Sequence, residues 1–433
     1  DWSWSLLDEG ERSMLAALAI YPAGIAASDA AEAAAAHGGT RAQLDALVDK
    51  SLLQRANGRY RALETIREYG IERLAERGDL VAQRRAQACR LAAATAVYDA
   101  RLRSSDIHAA IAWFDAEDDN LAAALRFCAD APHPETLVDI TGGCLWYWIV
   151  RDRNEDALTW SAAAAPHADG DRWQAVLLRA AGYMMRAFGG SERGRMPDLD
   201  TRELGELSAA AGRTEHDIVL TIPVIVEAVA DAGPSENWMN LARFPDPDSR
   251  RLTPWGRGIV LVARAALAQN RGELADLGDS SRRAVELFRG IGDGWGLSIA
   301  QQMRAEWLML EGRFEEALAM ADSSTDAMSR ITSSWDLLQQ QGLAVTLLMR
   351  LGRPTEARER IERILARARE SDSARAVTLA DTMACSLAVE FEDAAWGRAL
   401  IDEMDERLAE WDDVPPQLRA LAGTARGGVA ALD

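Results

Sequence analysis

Lysine is almost missing from this 433-residue chain: Lys50 is the only one, so arginine carries nearly all the basic charge. Lys and Arg together number 48 against 68 Asp and Glu, leaving a net charge of −20. That balance argues against a nucleic-acid surface over most of the molecule, because phosphate binding needs clustered Lys and Arg. Cysteine is also scarce. Cys89, Cys128, Cys144 and Cys385 lie far apart in apolar helical patterns without CxxC spacing, which excludes a disulfide framework and predicts buried free thiols in a reducing cytoplasm.

Several chemical signatures are absent as well. No GxxxxGK[ST] occurs, so the phosphate-cradling loop of an ATPase is missing from this sequence. His37, His108, His133, His167 and His216 form neither HExxH nor an i, i+4 pair, and are expected to face solvent or to be satisfied by neighbours. Neither a GxSxG elbow nor a Cys-His nucleophile signature appears. No catalytic residue, cofactor site or metal site is therefore predicted, and an enzyme is not expected. The most apolar window, Cys144 to Val150, is far too short for a membrane span, so a soluble chain is expected.

What is present is helical. Apolar residues make up 48% of the chain and Ala, Leu, Arg and Glu dominate. Between Leu44 and Leu74 the pattern becomes specific. Leu44, Leu47 and Val48 have helical spacing, Leu52 and Leu53 run into Asn57-Gly58, Tyr60 follows, and an amphipathic helix begins at Glu64 and ends near Gly78. Upstream, Leu6, Leu7, Met14, Leu15, Leu18 and Ile20 form an apolar stripe ended by Pro22 and Gly24, and Ala27 to His37 reads as a short helix closed by Gly38-Gly39.

Four segments carry a resemblance: Leu6 to Arg12, Leu47 to Leu52, Arg59 to Tyr69, and Asp115 to Leu125. In this order and spacing they resemble the winged helix that follows the nucleotide-binding domain in bacterial signal-transduction ATPases with numerous domains (STAND). The match is to actinobacterial regulators of the Streptomyces antibiotic regulatory protein (AfsR-like) type and their large LuxR-like relatives. The resemblance covers roughly residues 5 to 160. It implies a regulatory role, with this winged helix packing on an upstream nucleotide-binding domain while a separate domain reads DNA. The abrupt opening Asp1-Trp2-Ser3-Trp4 predicts a piece of a longer protein.

A repeat continues beyond. Gly272, Gly312 and Gly352 each stand between two apolar helical stretches, and 312−272 = 352−312 = 40. The same spacing places turns at Ala232 and Glu392, with weaker ones at Gly189-Gly190 and Arg151 to Asn154. Helix-turn-helix units with small Ala at the packing positions are of tetratricopeptide type. The expected fold is thus all-α: a winged-helix domain over 1–78, a connecting helical pair over 79–133, and a right-handed tetratricopeptide-like α-solenoid over 134–433. The tail after Trp411 reads as a last helix and a fraying end.

Candidate sites follow from that register. First helices of tetratricopeptide pairs line the concave face, which places Gln302, Glu306, Gln339 and Thr346 in a groove for a protein or small-molecule effector. Trp146, Trp148, Arg151, Tyr183 and Arg186 make a candidate aromatic pocket. The acidic run Asp115, Glu117, Asp118, Asp119 reads as a solvated helix start. Arg41, Lys50, Arg55, Arg59, Arg61 and Arg67 form the locally basic segment, diluted by Asp45, Asp49, Glu64 and Glu68, so direct DNA binding by this region is not expected. The reading is a sensor and interaction fragment of a transcriptional regulator that controls an upstream nucleotide-binding switch. Two alternatives stand beside it: a free-standing tetratricopeptide adaptor for protein partners, and a DNA-binding winged-helix repressor.

Overall fold

The helix Glu9–Ala19 begins at its cap Asp8 through a reciprocal capping box. Asp8 Oδ1 accepts from the Glu11 N–H at 2.7 Å, and Glu11 Oε2 accepts from the Asp8 N–H at 3.0 Å. The computed structural model describes residues 4, 6–30, 40–130, 134–189, 200–231, 244–332, 335–370, 373–411, 414 and 416–432. Helix α1 (Glu9–Ala19) buries Met14, Leu15 and Leu18. It leads to strand β1 (Ile25–Ala26), a helical start at 27–30 and helix α2 (Arg41–Asp49). The rest of the helix expected to reach His37, its Gly38-Gly39 stop, Ala232 and Gly190 lie outside the described residues.

Strands β2 (Leu53–Ala56) and β3 (Arg59–Ala62) are joined by Asn57 and Gly58, with φ of 51° and 72°. Two successive left-handed residues are what a tight hairpin needs to match the twist of its strands. The antiparallel sheet has the order β1-β3-β2. Helix α1, strand β1, helix α2 and the hairpin pack around a core that includes Tyr60, Leu44, Leu47 and Ile25. Helix α3 (Glu64–Arg77) packs on α1 and stops at Gly78.

Helices α4 (Leu80–Arg101) and α5 (Ile107–Asp130) then lie against each other. They are followed by α6 (Pro134–Val150), α7 (Asn154–Ala164), α8 (Trp173–Gly189), α9 (Thr201–Ala211) and α10 (Thr221–Asp231). Gly142 and Gly143 are close helix contacts: a Cβ at Gly143 would meet Thr95 Oγ1 at 2.4 Å, and one at Gly142 would meet Gln174 Cβ at 2.5 Å. The chain divides into two compact units, one running with brief exceptions through residue 223 and the other from 224 onward.

The second unit is a solenoid of stacked pairs: α11 (Pro254–Arg271) with α12 (Leu274–Ile291), α13 (Gly294–Leu310) with α14 (Phe314–Met328), α15 (Trp335–Arg350) with α16 (Pro354–Arg369), and α17 (Ala374–Glu390) with α18 (Ala394–Ala409). Each pair turns in the same way. Gly272, Gly312 and Gly352 have φ of 73°, 75° and 68°, and Glu392, where the 40-residue spacing puts the next turn, has φ of 54°. The following amide donates back to the carbonyl five residues earlier, at 2.8 Å for Glu273 to Ala268, and 2.9 Å for Arg313 to Leu308, Arg353 to Leu348 and Asp393 to Ala388. This bond closes a helix end only when the residue before it is left-handed, which glycine adopts without strain.

First helices of successive pairs approach one another more closely than second helices do, which sets the first helices on the inner side of the stack. The tail departs from expectation. Helix α19 (Pro416–Ala430) does not fray at its glycines, because Leu418, Ala422, Ala425 and Val429 share a face buried in the core of the second unit.

Ala317 and Ala357, 40 residues apart at the starts of α14 and α16, are both fully buried. A leucine at either site has no room, and overpacking of this kind costs about 1–3 kcal/mol. Urea unfolding of Ala317→Leu and Ala357→Leu should show that loss in each; two curves overlaying wild type would mean these positions are not close contacts.

Candidate functional site

Three of the four groove residues meet in one cleft. Gln302 and Glu306 on α13, Gly342 and Thr346 on α15, and Met383, Ser386 and Glu390 on α17 line a space of about 390 Å³. All three helices are first helices. The spacing is the repeat itself, since 346−306 = 386−346 = 40, so Glu306, Thr346 and Ser386 are equivalent positions on successive turns of the stack. Met349, Val345 and Leu387 complete the wall. Gln339 lies on α15, and its side chain is outside the described residues.

Glu306 is the least comfortable group there. Its Oε1 accepts from Gln302 Nε2 at 3.2 Å, while Oε2 is buried without a hydrogen bond. Burial pushes its carboxyl above the ordinary 4.5, and the side chains of Gln302 and Gln269 offset this only in part. Thr346 is exposed and turns its hydroxyl to Gly342 O at 3.1 Å. Neither Glu306 nor Glu390 is ion-paired among the described residues, and no arginine lines the cleft. A space of this size with convergent polar groups and methionine walls suits a small ligand or one side chain of a partner.

The aromatic candidates are placed differently. Trp148 and Tyr183 are buried and Trp146 is half-buried. Arg186 pairs with Glu203 and stands over the Tyr183 ring at 6.0 Å. Arg151 falls in the second unit, where it donates to Ile331 O at 3.0 Å. Tyr147, between the two tryptophans, stacks on Phe114 at 4.5 Å, and burial together with its bond to Asp115 pushes its hydroxyl up to about 12.

The acidic run proved more structural than its composition suggested. It is not a helix start, because it lies in the middle of α5, and Glu117 within it is 1% exposed while Asp115 and Asp119 do face solvent. Arg59 Nη2 donates to Glu117 Oε1 at 2.8 Å and to Gly24 O at 2.9 Å. Asn120 Nδ2 donates to Glu117 Oε2 at 2.6 Å and to Gly24 O at 2.9 Å, and its Oδ1 accepts from the Ala23 N–H at 3.1 Å. On another face of α5, Asp115 accepts from Tyr147 at 2.6 Å and Asp118 from Arg153 at 2.6 Å. Asp119 alone of the run is exposed and without a recorded bond among the described residues. The signal that could have found this is Asn120, a polar residue on the apolar stripe of Leu121 and Ala124.

Half of the basic segment is ion-paired, while Arg41, Arg55 and Arg61 are exposed and have no ion pair among the described residues. Lys50 Nζ sits 2.6 Å from Glu11, Arg59 is held by Glu117, and Arg67 pairs with Glu64 at 2.6 Å. The outward face of α2 shows Arg41 beside Asp45 and Asp49. Among the cysteines, Cys128, Cys144 and Cys385 are buried as expected, and burial raises Cys128 to about 11 and Cys385 to about 12. Cys89 is exposed instead, because it lies on the outer stripe of α4 with Arg85 and Ala93.

His216 was expected to be satisfied or solvent-facing, and it is buried. Its Nε2 lies 2.8 Å from Asp99 Oδ2 and its ring stacks on Trp173 at 4.0 Å. Burial holds its pKa below the usual value despite Asp99. Asp99 is pushed up by burial but held below its ordinary value by Arg103, which donates to it twice at 2.7 and 2.8 Å, and by His216. Among the described residues no group of three or more His, Cys, Asp or Glu is arranged to hold a metal, and no helix is long and apolar enough to cross a membrane.

No family model matches this sequence. Over 173 residues it is 30% identical to proteins provisionally named HTH-type transcriptional regulators in Mycobacterium tuberculosis and Mycobacterium bovis. The match covers 37% of this chain and 19% of those proteins, so the chain spans about a fifth of the length of the curated relatives it matches. Among solved structures, a signal-transduction ATPase with numerous domains and a tetratricopeptide repeat sensor from Pyrococcus horikoshii aligns with a TM-score of 0.48 at 11% identity, over 99% of this chain and 66% of that one.

Two predictions follow from these contacts. Arg59→Ala strands Glu117 as a buried unpaired charge, a loss of about 3–5 kcal/mol for a buried pair broken on one side. Urea unfolding should show it; a change below about 1 kcal/mol would class the contact with ordinary surface pairs. The second concerns Glu306. Because its native pKa lies above 4.5, the unfolded chain binds fewer protons between those two values, and stability falls as pH rises through that window. Glu306→Gln should therefore leave the melting temperature near wild type at about pH 4 and raise it at about pH 8. Equal shifts at both pH values would show that burial of the charge is not the cause.

Proposed function

We propose that this chain is the sensor and interaction region of a cytoplasmic transcriptional regulator, in which the solenoid groove binds an effector and the winged helix passes the change to a nucleotide-binding switch. In this reading residues 1–78 are the winged-helix domain, 79–133 the connecting pair and 134–433 the repeats. The observation that carries the reading is the cleft on α13, α15 and α17, built from register-equivalent polar positions on otherwise apolar helices. The regulator names of the mycobacterial relatives and the resemblance of the winged-helix segments to AfsR-like STAND proteins support it.

The switch chemistry belongs to the nucleotide-binding domain of that family, since this sequence has no phosphate loop. DNA reading also belongs elsewhere. The carboxylates on α2 and the ion pairs of Lys50, Arg59 and Arg67 offset half of the basic segment, and the exposed Arg41, Arg55 and Arg61 that remain are few for a duplex-binding face.

Thr346→Trp fills the cleft from an exposed position without touching the core. Fractions of a small-molecule extract from the native cell should include one that raises the melting temperature of the wild-type chain, because a ligand bound to the folded state stabilises it by mass action. The same fraction should leave Thr346→Trp unmoved. An equal rise in both proteins, or no active fraction, would overturn the groove as the sensing site.

A further inference from the structure

We infer that the groove takes a small organic cation: an alkylammonium or guanidinium group carried on an apolar body. The inference rests on the groove reading above and names its ligand class. Charge is the first argument. Glu306 and Glu390 both line the cleft, neither is ion-paired among the described residues, and no basic residue stands beside them.

The second argument is Glu306 itself. A buried carboxylate oxygen without a hydrogen bond is an expensive feature in a folded chain, and an N–H donor of positive charge is the partner that satisfies it best. Gln302 donates to the other oxygen at 3.2 Å, and neutral amides from Gln302 and Gln269 offset the burial of the charge only in part. An anion entering here would meet two carboxylates, and a neutral apolar molecule would leave the Glu306 oxygen buried and bare.

The third argument is shape. Met349 and Met383 line the same space, and their thioethers adapt to an aliphatic or aromatic stem while the polar side holds the charge. About 390 Å³ admits a molecule of metabolite size. A net charge of −20 further draws cations toward the chain and repels anions.

The test is calorimetric titration of the whole chain with agmatine, 1,5-diaminopentane and phenethylamine, with hexanoate as the charge-inverted control. At least one amine should bind and hexanoate should not. Glu306→Gln and Glu390→Gln should each weaken the amine about tenfold or more while the protein stays folded. Raising the salt should weaken it further, since the Debye length shortens to about 3 Å at 1 M.

Binding of none of the three amines, or an affinity unchanged in the Glu306→Gln Glu390→Gln double variant, overturns the cation assignment. If an extract fraction still shifts wild type and not Thr346→Trp, the groove remains the sensing site for a ligand of another charge. If neither the amines nor any fraction binds, both readings fall together.

Discussion

The buried contact of Arg59 with Glu117 and Asn120 holds the winged helix to the helical pair behind it. Its chemistry explains why it is all-or-nothing. Glu117 has no water to stabilise its charge, so it needs Arg59 on one oxygen and Asn120 on the other. Both donors also cap the carbonyls of Ala23 or Gly24, the tight corner between α1 and β1, and the Gly24 backbone there packs against Tyr60 too closely for any side chain. One network thus fixes a corner, a strand and a helix together. Such a contact adds little net stability over a well-packed apolar one. What it supplies is a fixed orientation of β3 and the α1–β1 corner against α5.

This wiring also bears on the four segments by which the chain resembles STAND regulators. Glu11 in the first segment binds Lys50 in the second, and Arg59 in the third binds Glu117 in the fourth. The segments are distant in sequence and paired in space. Each pair joins one basic and one acidic residue from different elements, so neither member is useful alone. The solitary lysine therefore has a structural post, and its rarity reflects the arginine preference of the whole chain.

The solenoid was legible because its information is local and repeated. A left-handed turn residue, the back-bonded amide after it and a small residue at the next helix start can each be read within a few positions, and the 40-residue spacing multiplies the signal. That register puts Gln302, Glu306 and Thr346 on first helices, and the three line one cleft. The acidic run failed for the opposite reason. Whether Glu117 is solvated depends on Arg59, 58 residues away, and nothing in the local pattern of Asp115 to Asp119 distinguishes a buried carboxylate from an exposed one. The same holds for the aromatic region, where Trp148 and Tyr183 went into packing. At the tail, α19 finds a tertiary partner that its glycines alone do not announce.

Glu306 and Glu117 make an instructive pair. Both are carboxylates on helices with most of their surface removed from water. Glu117 has a guanidinium and an amide, and its burial is resolved within the fold. Glu306 lines the cleft with only the neutral amides of Gln302 and Gln269 to offset its burial, and its Oε2 has no hydrogen bond. Nothing in packing requires an acid there, since the equivalent positions on the next two repeats hold a threonine and a serine. An acid placed where a smaller neutral side chain fits the register costs stability above its native pKa, and the proposed cation would relieve that cost. The fold pairs the charge of Glu117 with a guanidinium and leaves that of Glu306 to neutral amides.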